Sequence, residues 1–228
     1  KLGYERHNGI YIHPQGRRLI SVGDVADKGQ ENISCLNFWI DQVAQGGAFW
    51  VHGNHCNKLY RYFLGNHVHI SHGLENTVAE LKAMTAEERS ALKMRYMRCY
   101  ESQCYYLLLD KKRLAVVHGG LQAENMGRFS GGIKAVCLYG ETTGKLDASG
   151  RPERKDWAAC YTGNALVVYG HTEVPQAKLV NNTIDIDQGC VYGGKLTAFR
   201  YPEREIVQVD AKRVYRHTEK PGFSKEVR

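Results

Sequence analysis

Five times along this chain a short apolar run stops beside a glycine and a single polar side chain. Residues 19–22 lead to Gly23-Asp24, 48–52 to Gly53-Asn54, 114–117 to His118-Gly119, 166–169 to Gly170-His171, and 183–186 to Asp187 with Gly189 two residues on. Runs of this length between turn signals read as buried strands. The glycines let the backbone turn sharply past each strand and leave the adjoining polar group exposed at the sheet edge. A chain so written must build a sheet whose strand ends carry the chemistry.

Between those strands the apolar period becomes helical. Ile33, Leu36, Ile40 and Val43 share one face of 32–43, as do Leu59, Phe63 and Leu64 after Asn54. A longer helical region over 74–100 is expected to break at Thr85, where Thr85-Ala86-Glu87-Glu88 forms a capping box that restarts it. Residues 105–109 and 114–117 flank the turn Asp110-Lys111-Lys112 as a hairpin, and 196–201 and 205–209 read as further strands. The fold class is therefore mixed α/β. No repeat, low-complexity stretch or linker divides it, so residues 1–228 are expected to form one domain.

Composition excludes some alternatives. The longest apolar runs, such as Ala165-Leu166-Val167-Val168, fall far short of the roughly 20 residues a membrane-spanning helix requires, so no membrane partner is expected. Seven cysteines without a C-x-x-C pair point to reduced thiols and a cytoplasmic location. A net charge of +7 favours an anionic partner without specifying it.

Asp24, Asn54, His118, His171 and Asp187 together offer carboxylate, amide and imidazole donors. That mixed oxygen and nitrogen set suits manganese, zinc, iron or nickel and is poor for a calcium or pure magnesium cage.

The same residues carry a resemblance. Gly23-Asp24-Val25-Ala26-Asp27-Lys28-Gly29 resembles the GDxxDRG motif of the calcineurin-like metallophosphoesterases, Gly53-Asn54-His55 their GNH(D/E), His118-Gly119-Gly120 their H(A/G)G, and Gly170-His171-Thr172 their GHT, in the same order. Residues 138–144, 168–172 and 189–204 further resemble the phosphatase module of bacterial polynucleotide kinase-phosphatases of RNA repair. The resemblance implies two mixed β-sheets packed as a sandwich flanked by helices, with two divalent metal ions at one edge, manganese foremost and nickel, zinc or iron as alternatives. Asp24 would bridge the metals, and Asn54, His118 and His171 would complete the second one's shell. His55 would be the general acid, a role suited to imidazole, and Lys28 would hold a phosphate oxygen. Asp187 would lie near the first metal, as a ligand through water or as a partner of its ligands, with Asp27 and Cys56 as supporting neighbours.

Three departures stand out. Nothing corresponds to the family's DxH motif, and Lys1-Leu2-Gly3 reads as a helix end with its glycine cap, so the chain is expected to be a fragment lacking its first strand and helix, inactive as given. Lys28 stands where the motif has Arg, exchanging a two-pronged donor for a point charge. Cys56 stands where a carboxylate usually follows GNH, which predicts a His55 that is poorly oriented and has a lowered pKa.

The resemblance implies a metal-dependent phosphoesterase that heals RNA 3′ ends, opening 2′,3′-cyclic phosphates and removing the product phosphate by two-metal activation of water. Phosphorylated RNA ends would be its partners, and kinase and ligase modules would lie on flanking chain. A dinucleoside tetraphosphate hydrolase or protein phosphatase of the same family is the alternative, and a non-catalytic RNA-end-binding module is a reading from another class. Gly189 to Lys195 spells GxxxxGK, but Leu196 occupies the Ser/Thr place, so no P-loop is expected. His67, His69 and His72 read as an exposed loop, and Arg200, Arg204, Lys212, Arg213 and Arg216 as an RNA-tracking or merely solvated basic end.

Overall fold

The computed structural model describes residues 1–147, 150, 152–218 and 222–223. Strands β1 (Glu5–His7) and β2 (Ile10–Ile12) form an exposed hairpin closed by Asn8-Gly9, both at positive φ as the favoured two-residue hairpin turn demands. Strand β3 (Leu19–Ser21), helix α1 (Asn32–Ala44), parallel strand β4 (Ala48–Trp50) and helix α2 (Asn54–Phe63) follow. Helices α3 (Leu74–Ala83) and α4 (Ala86–Glu101) meet at Thr85, whose hydroxyl accepts from the Glu88 N–H while the Glu88 side chain returns to the Thr85 N–H. The helical region breaks where the capping box predicts.

Strands β5 (Tyr106–Leu109) and β6 (Leu114–Val117) form the expected hairpin. Then come α5 (Gly131–Tyr139), an exposed pair β7 (Thr142–Leu146) and β8 (Pro152–Arg154), and strand β9 (Leu166–Tyr169). The last strands are β10 (Leu179–Val180), β11 (Thr183–Asp185), β12 (Asp187–Gln188), β13 (Lys195–Arg200) and β14 (Glu205–Asp210). The turn before β13 holds a short 3-10 segment, Cys190–Tyr192, and no helix follows Lys195. At the other end, residues 1–4 take no helical form, although Gly3 adopts a φ of 80°.

The main sheet is mixed, in the order β10-β11-β9-β6-β5 with β11, β9 and β6 parallel. Its central strands are apolar on both faces because both are covered, which is why they appear in sequence as unbroken apolar runs. Leu114, Val116, Leu166 and Val168 pack with Val51 and Ile184 against Ile20, Val22 and Phe199 of the second layer, formed by β3-β4 and β12-β13-β14. Ala115, Val117 and Val167 face the other way, onto Trp157, Tyr161 and Cys137 of α5. Around Trp50, helices α1 to α4 bury Leu36, Leu59, Leu74, Leu81 and Tyr96 in a further core. The fold is the mixed α/β sandwich with outer helices that the motifs imply. An apolar cavity of about 710 Å³ opens between β3 and β13. Among the described residues no helix is long and apolar enough to cross a membrane.

Candidate metal centre

Four elements deliver the candidate donors to one place. Asp24 follows β3, Asn54 begins α2, and His118 and His171 follow the parallel neighbours β6 and β9. The Asp24 carboxylate sits at the N-terminus of α2, accepting the His55 N–H at 2.9 Å, where the helix dipole favours an anion. Asp24, His118 and His171 offer atoms that all lie within 4.8 Å of one another.

His118 decides what this cluster can hold. Its Nδ1 lies 2.8 Å from the Val22 carbonyl, which can only accept, so Nδ1 carries a proton and Nε2 is the nitrogen turned to the cluster. That Nε2 faces Asn54 Oδ1 at 3.0 Å, His171 Nδ1 at 3.0 Å and Asp24 Oδ2 at 3.2 Å. Burial, then the nearby His118 ring, pushes the His171 imidazole down to about 3 despite the pull of Asp24, so it offers a lone pair at neutral pH. Burial alone would raise Asp24, but the imidazoles of His118, His55 and His171 outweigh it and hold the carboxyl well below the usual range. A carboxylate, an amide oxygen and two imidazole nitrogens that converge at hydrogen-bond distance make a mixed donor set that fits a divalent transition ion. Asp187 lies outside that tight cluster. It packs behind Gly170, its Cβ 3.3 Å from where a Cβ on that glycine would stand, and shares the adjoining cleft with Asp24 and His171.

His55 is buried beside the cluster, and its Nδ1 donates to Asp27 Oδ2 at 2.7 Å. Asp27 is fully buried; its other oxygen accepts the Thr77 hydroxyl at 2.7 Å, and its N–H donates to Asn32 Oδ1 at 2.7 Å. Burial opposes a charged His55, but Asp24 and the hydrogen-bonded Asp27 outweigh it and raise the pKa. This corrects the expectation drawn from Cys56. Its thiol is buried in the helical core and pushed up to about 12, first by burial and then by Asp24, while the carboxylate that orients His55 comes from the loop after β3. Lys28 lies 3.4 Å from Glu173 Oε1 and 5.3 Å above the Tyr192 ring. Burial would lower its pKa, yet Glu173 more than compensates and keeps it charged. Thr77, Asn32 and Glu173 complete the site without any signal in the sequence motifs. His67, His69 and His72 are exposed, and none joins a donor cluster among the described residues.

The turn at Gly53 admits no side chain, since a Cβ there would stand 2.0 Å from Asp24 Oδ1. Gly53→Ala is expected to displace the Asp24 carboxylate, lowering stability by about 1–3 kcal/mol through overpacking and weakening divalent-ion binding. Thermal unfolding and calorimetric titration with Mn²⁺ check this, and unchanged ion affinity would mean that Asp24 is not a ligand.

Comparison with known proteins follows the same motifs. The calcineurin-like phosphoesterase family matches residues 11–175. The chain belongs to that family. As a calcineurin-like phosphoesterase it is a hydrolase acting on phosphate esters, and the family implies divalent metal ions. It is 46% identical over 215 residues to an asymmetrical bis(5′-nucleosyl)-tetraphosphatase PrpE of Geobacillus sp. (strain WCH70), covering 94% of this chain and 88% of that one. The protein of the same name in Bacillus subtilis (strain 168) is 44% identical with the same coverage. A crystal structure described as a candidate diadenosine tetraphosphatase superposes with a TM-score of 0.58 at 21% identity, over 86% of this chain and 82% of that one.

These relatives overturn the reading of RNA 3′-end healing and the placement with the repair phosphatases. Their names match the dinucleoside tetraphosphate alternative instead. The strings that resembled the repair branch explain the error: residues 138–144 span the end of α5 and the start of β7, and 189–204 form the turn into β13 and its strand. A likeness in such strand, turn and helix-end segments follows the fold, and a shared fold does not distinguish substrates.

Proposed function

We propose that this phosphoesterase hydrolyses dinucleoside tetraphosphates asymmetrically, as a single domain over residues 1–228. The observation that carries the reading is 44–46% identity to proteins of that name over 94% of the chain. The shape of the site agrees with it: a cleft of about 950 Å³ runs from Asp24, His55 and His171 past Lys28 to Lys212, Arg213 and Tyr215.

Asp24, Asn54, His118 and His171 would hold one divalent ion, and Asp24 with Asp187 would contribute to a second; manganese is the first choice for the donor set. Such ions supply Lewis-acid polarisation of the phosphate and a more acidic water. The chain's own groups supply the rest. The Val22 carbonyl fixes the His118 ring with its Nε2 inward. Asp24 and Asp27 raise the pKa of His55, and with Nδ1 engaged on Asp27 its Nε2 can give a proton to the departing oxygen. Lys28 faces the phosphates as a point charge, tethered by Glu173.

Incubating the full-length protein with diadenosine tetraphosphate and Mn²⁺, then separating the products, tests the proposal. Equal amounts of adenosine triphosphate and monophosphate are expected. Two diphosphates, or hydrolysis of an aryl phosphate or phosphopeptide with the dinucleotide left intact, would overturn it.

A further inference from the structure

One part of the cleft does no work for the reacting phosphate. A substrate cleaved to unequal halves has to be held by more than the phosphorus under attack, and 950 Å³ is at the upper end of ligand-site volumes. Beyond β14 the chain turns back across the cleft mouth and is laced in place. The Ala211 N–H donates to Gly194 O at 2.9 Å, and the Tyr215 and Arg216 N–H groups both donate to Val191 O at 3.0 Å. Val214 packs so closely on Gly193 that a Cβ there would meet it at 2.8 Å. The segment is therefore a fixed wall.

That wall carries two cations. Lys212 and Arg213 are exposed, line the cleft, and form no ion pair among the described residues. The carboxylates of the cleft are otherwise placed: Asp24 faces the donor cluster, Glu173 faces Lys28, Asp187 lies behind Gly170, and Glu31 stands at the start of α1. Arg213 is pre-positioned by neutral contacts. Its Nη2 donates to Gln30 Oε1 at 2.6 Å, across the mouth on the loop that follows Lys28, and its guanidinium lies 5.2 Å over the Tyr215 ring. A planar donor already held flat, with no carboxylate to displace, loses little freedom when it grips an anion and can meet a phosphate with two parallel hydrogen bonds.

Resting on the proposed dinucleotide substrate, we infer that Lys212 and Arg213 form a subsite for the phosphates remote from the reacting phosphorus, and that this subsite selects polyphosphate chains over simple phosphomonoesters. The residues bind substrate and take no part in bond breaking.

The test compares the full-length protein with Lys212→Ala, Arg213→Ala, the double variant and Arg213→Lys. In calorimetric titration of the metal-free protein, the double variant is expected to bind adenosine triphosphate about tenfold more weakly, with orthophosphate binding unchanged. In turnover with Mn²⁺ it should raise KM for diadenosine tetraphosphate about tenfold while kcat for an aryl phosphate holds. Arg213→Lys should recover part of the loss. Unchanged triphosphate affinity, or an equal loss on aryl phosphate, would overturn the subsite. A wild-type protein that binds triphosphate through these residues yet leaves the dinucleotide uncut would keep the subsite and remove the proposed function.

Discussion

Replacing His118 by alanine is expected to lower kcat/KM for an aryl phosphate by more than about a hundredfold, because loss of a group that merely supports a metal ligand already costs 10–100-fold. His118 Nε2 stands within 3.0–3.2 Å of three other donor atoms, at the middle of the cluster. Its Nδ1 proton is committed to the Val22 carbonyl, so the ring cannot turn over to serve some other purpose. Mn²⁺ affinity in calorimetric titration should fall together with the rate. Circular dichroism guards against the trivial explanation, since His118 is buried and its removal also opens space. A folded His118→Ala protein that retains a tenth or more of the activity would defeat the assignment of this cluster as the metal centre.

Asp27→Asn carries the second large effect, through His55. A general acid works while protonated, so activity is lost as pH rises through its pKa, and a raised pKa extends activity to higher pH. Asp27 raises His55 both by accepting its Nδ1–H and by its charge. Asparagine keeps the shape and an accepting oxygen but removes the charge, so the alkaline limb of the rate profile should move to lower pH. Above that limb the loss should reach about a hundredfold, the lower end of what positioned proton transfer contributes. The leaving group adds a second signature. An alkoxide needs the proton more than a triphosphate does, so a phosphomonoester of an aliphatic alcohol should suffer more than diadenosine tetraphosphate. Equal losses and an unmoved limb would reduce Asp27 to a structural hydrogen bond for Thr77 and Asn32.

Much of this architecture is written locally. The central strands of the main sheet are covered on both faces, and their uninterrupted apolar runs in 114–117 and 166–169 announce them. The candidate donors are legible because each sits at the end of such a run. The hairpin of β1 and β2 leaves only Asn8-Gly9 as its mark in the sequence, since its residues are mostly exposed and lack an apolar alternation.

The misreading of Cys56 has a geometric cause. Residues 55 and 56 are neighbours within α2, and successive side chains on a helix point about 100° apart, so adjacency in sequence there means divergence in space. Asp27, Thr77 and Asn32 meet only through folding, as do Arg213 and Gln30, and no pattern of residue types in one stretch of chain records such meetings.

Asp24, Asp27 and His171 also share a backbone peculiarity, with φ of 51°, 95° and 77° in the region that side chains of L-residues avoid. Each of these positions is therefore filtered twice, by the chemistry its side chain must perform and by a main chain that favours glycine, asparagine, aspartate and histidine. The two filters overlap at aspartate and histidine, while glycine and asparagine pass only the second. The substitutions that folding accepts best at these places are ones that silence the enzyme, so neutral drift from this fold leads toward intact, well-packed proteins that have kept the cleft and lost the reaction.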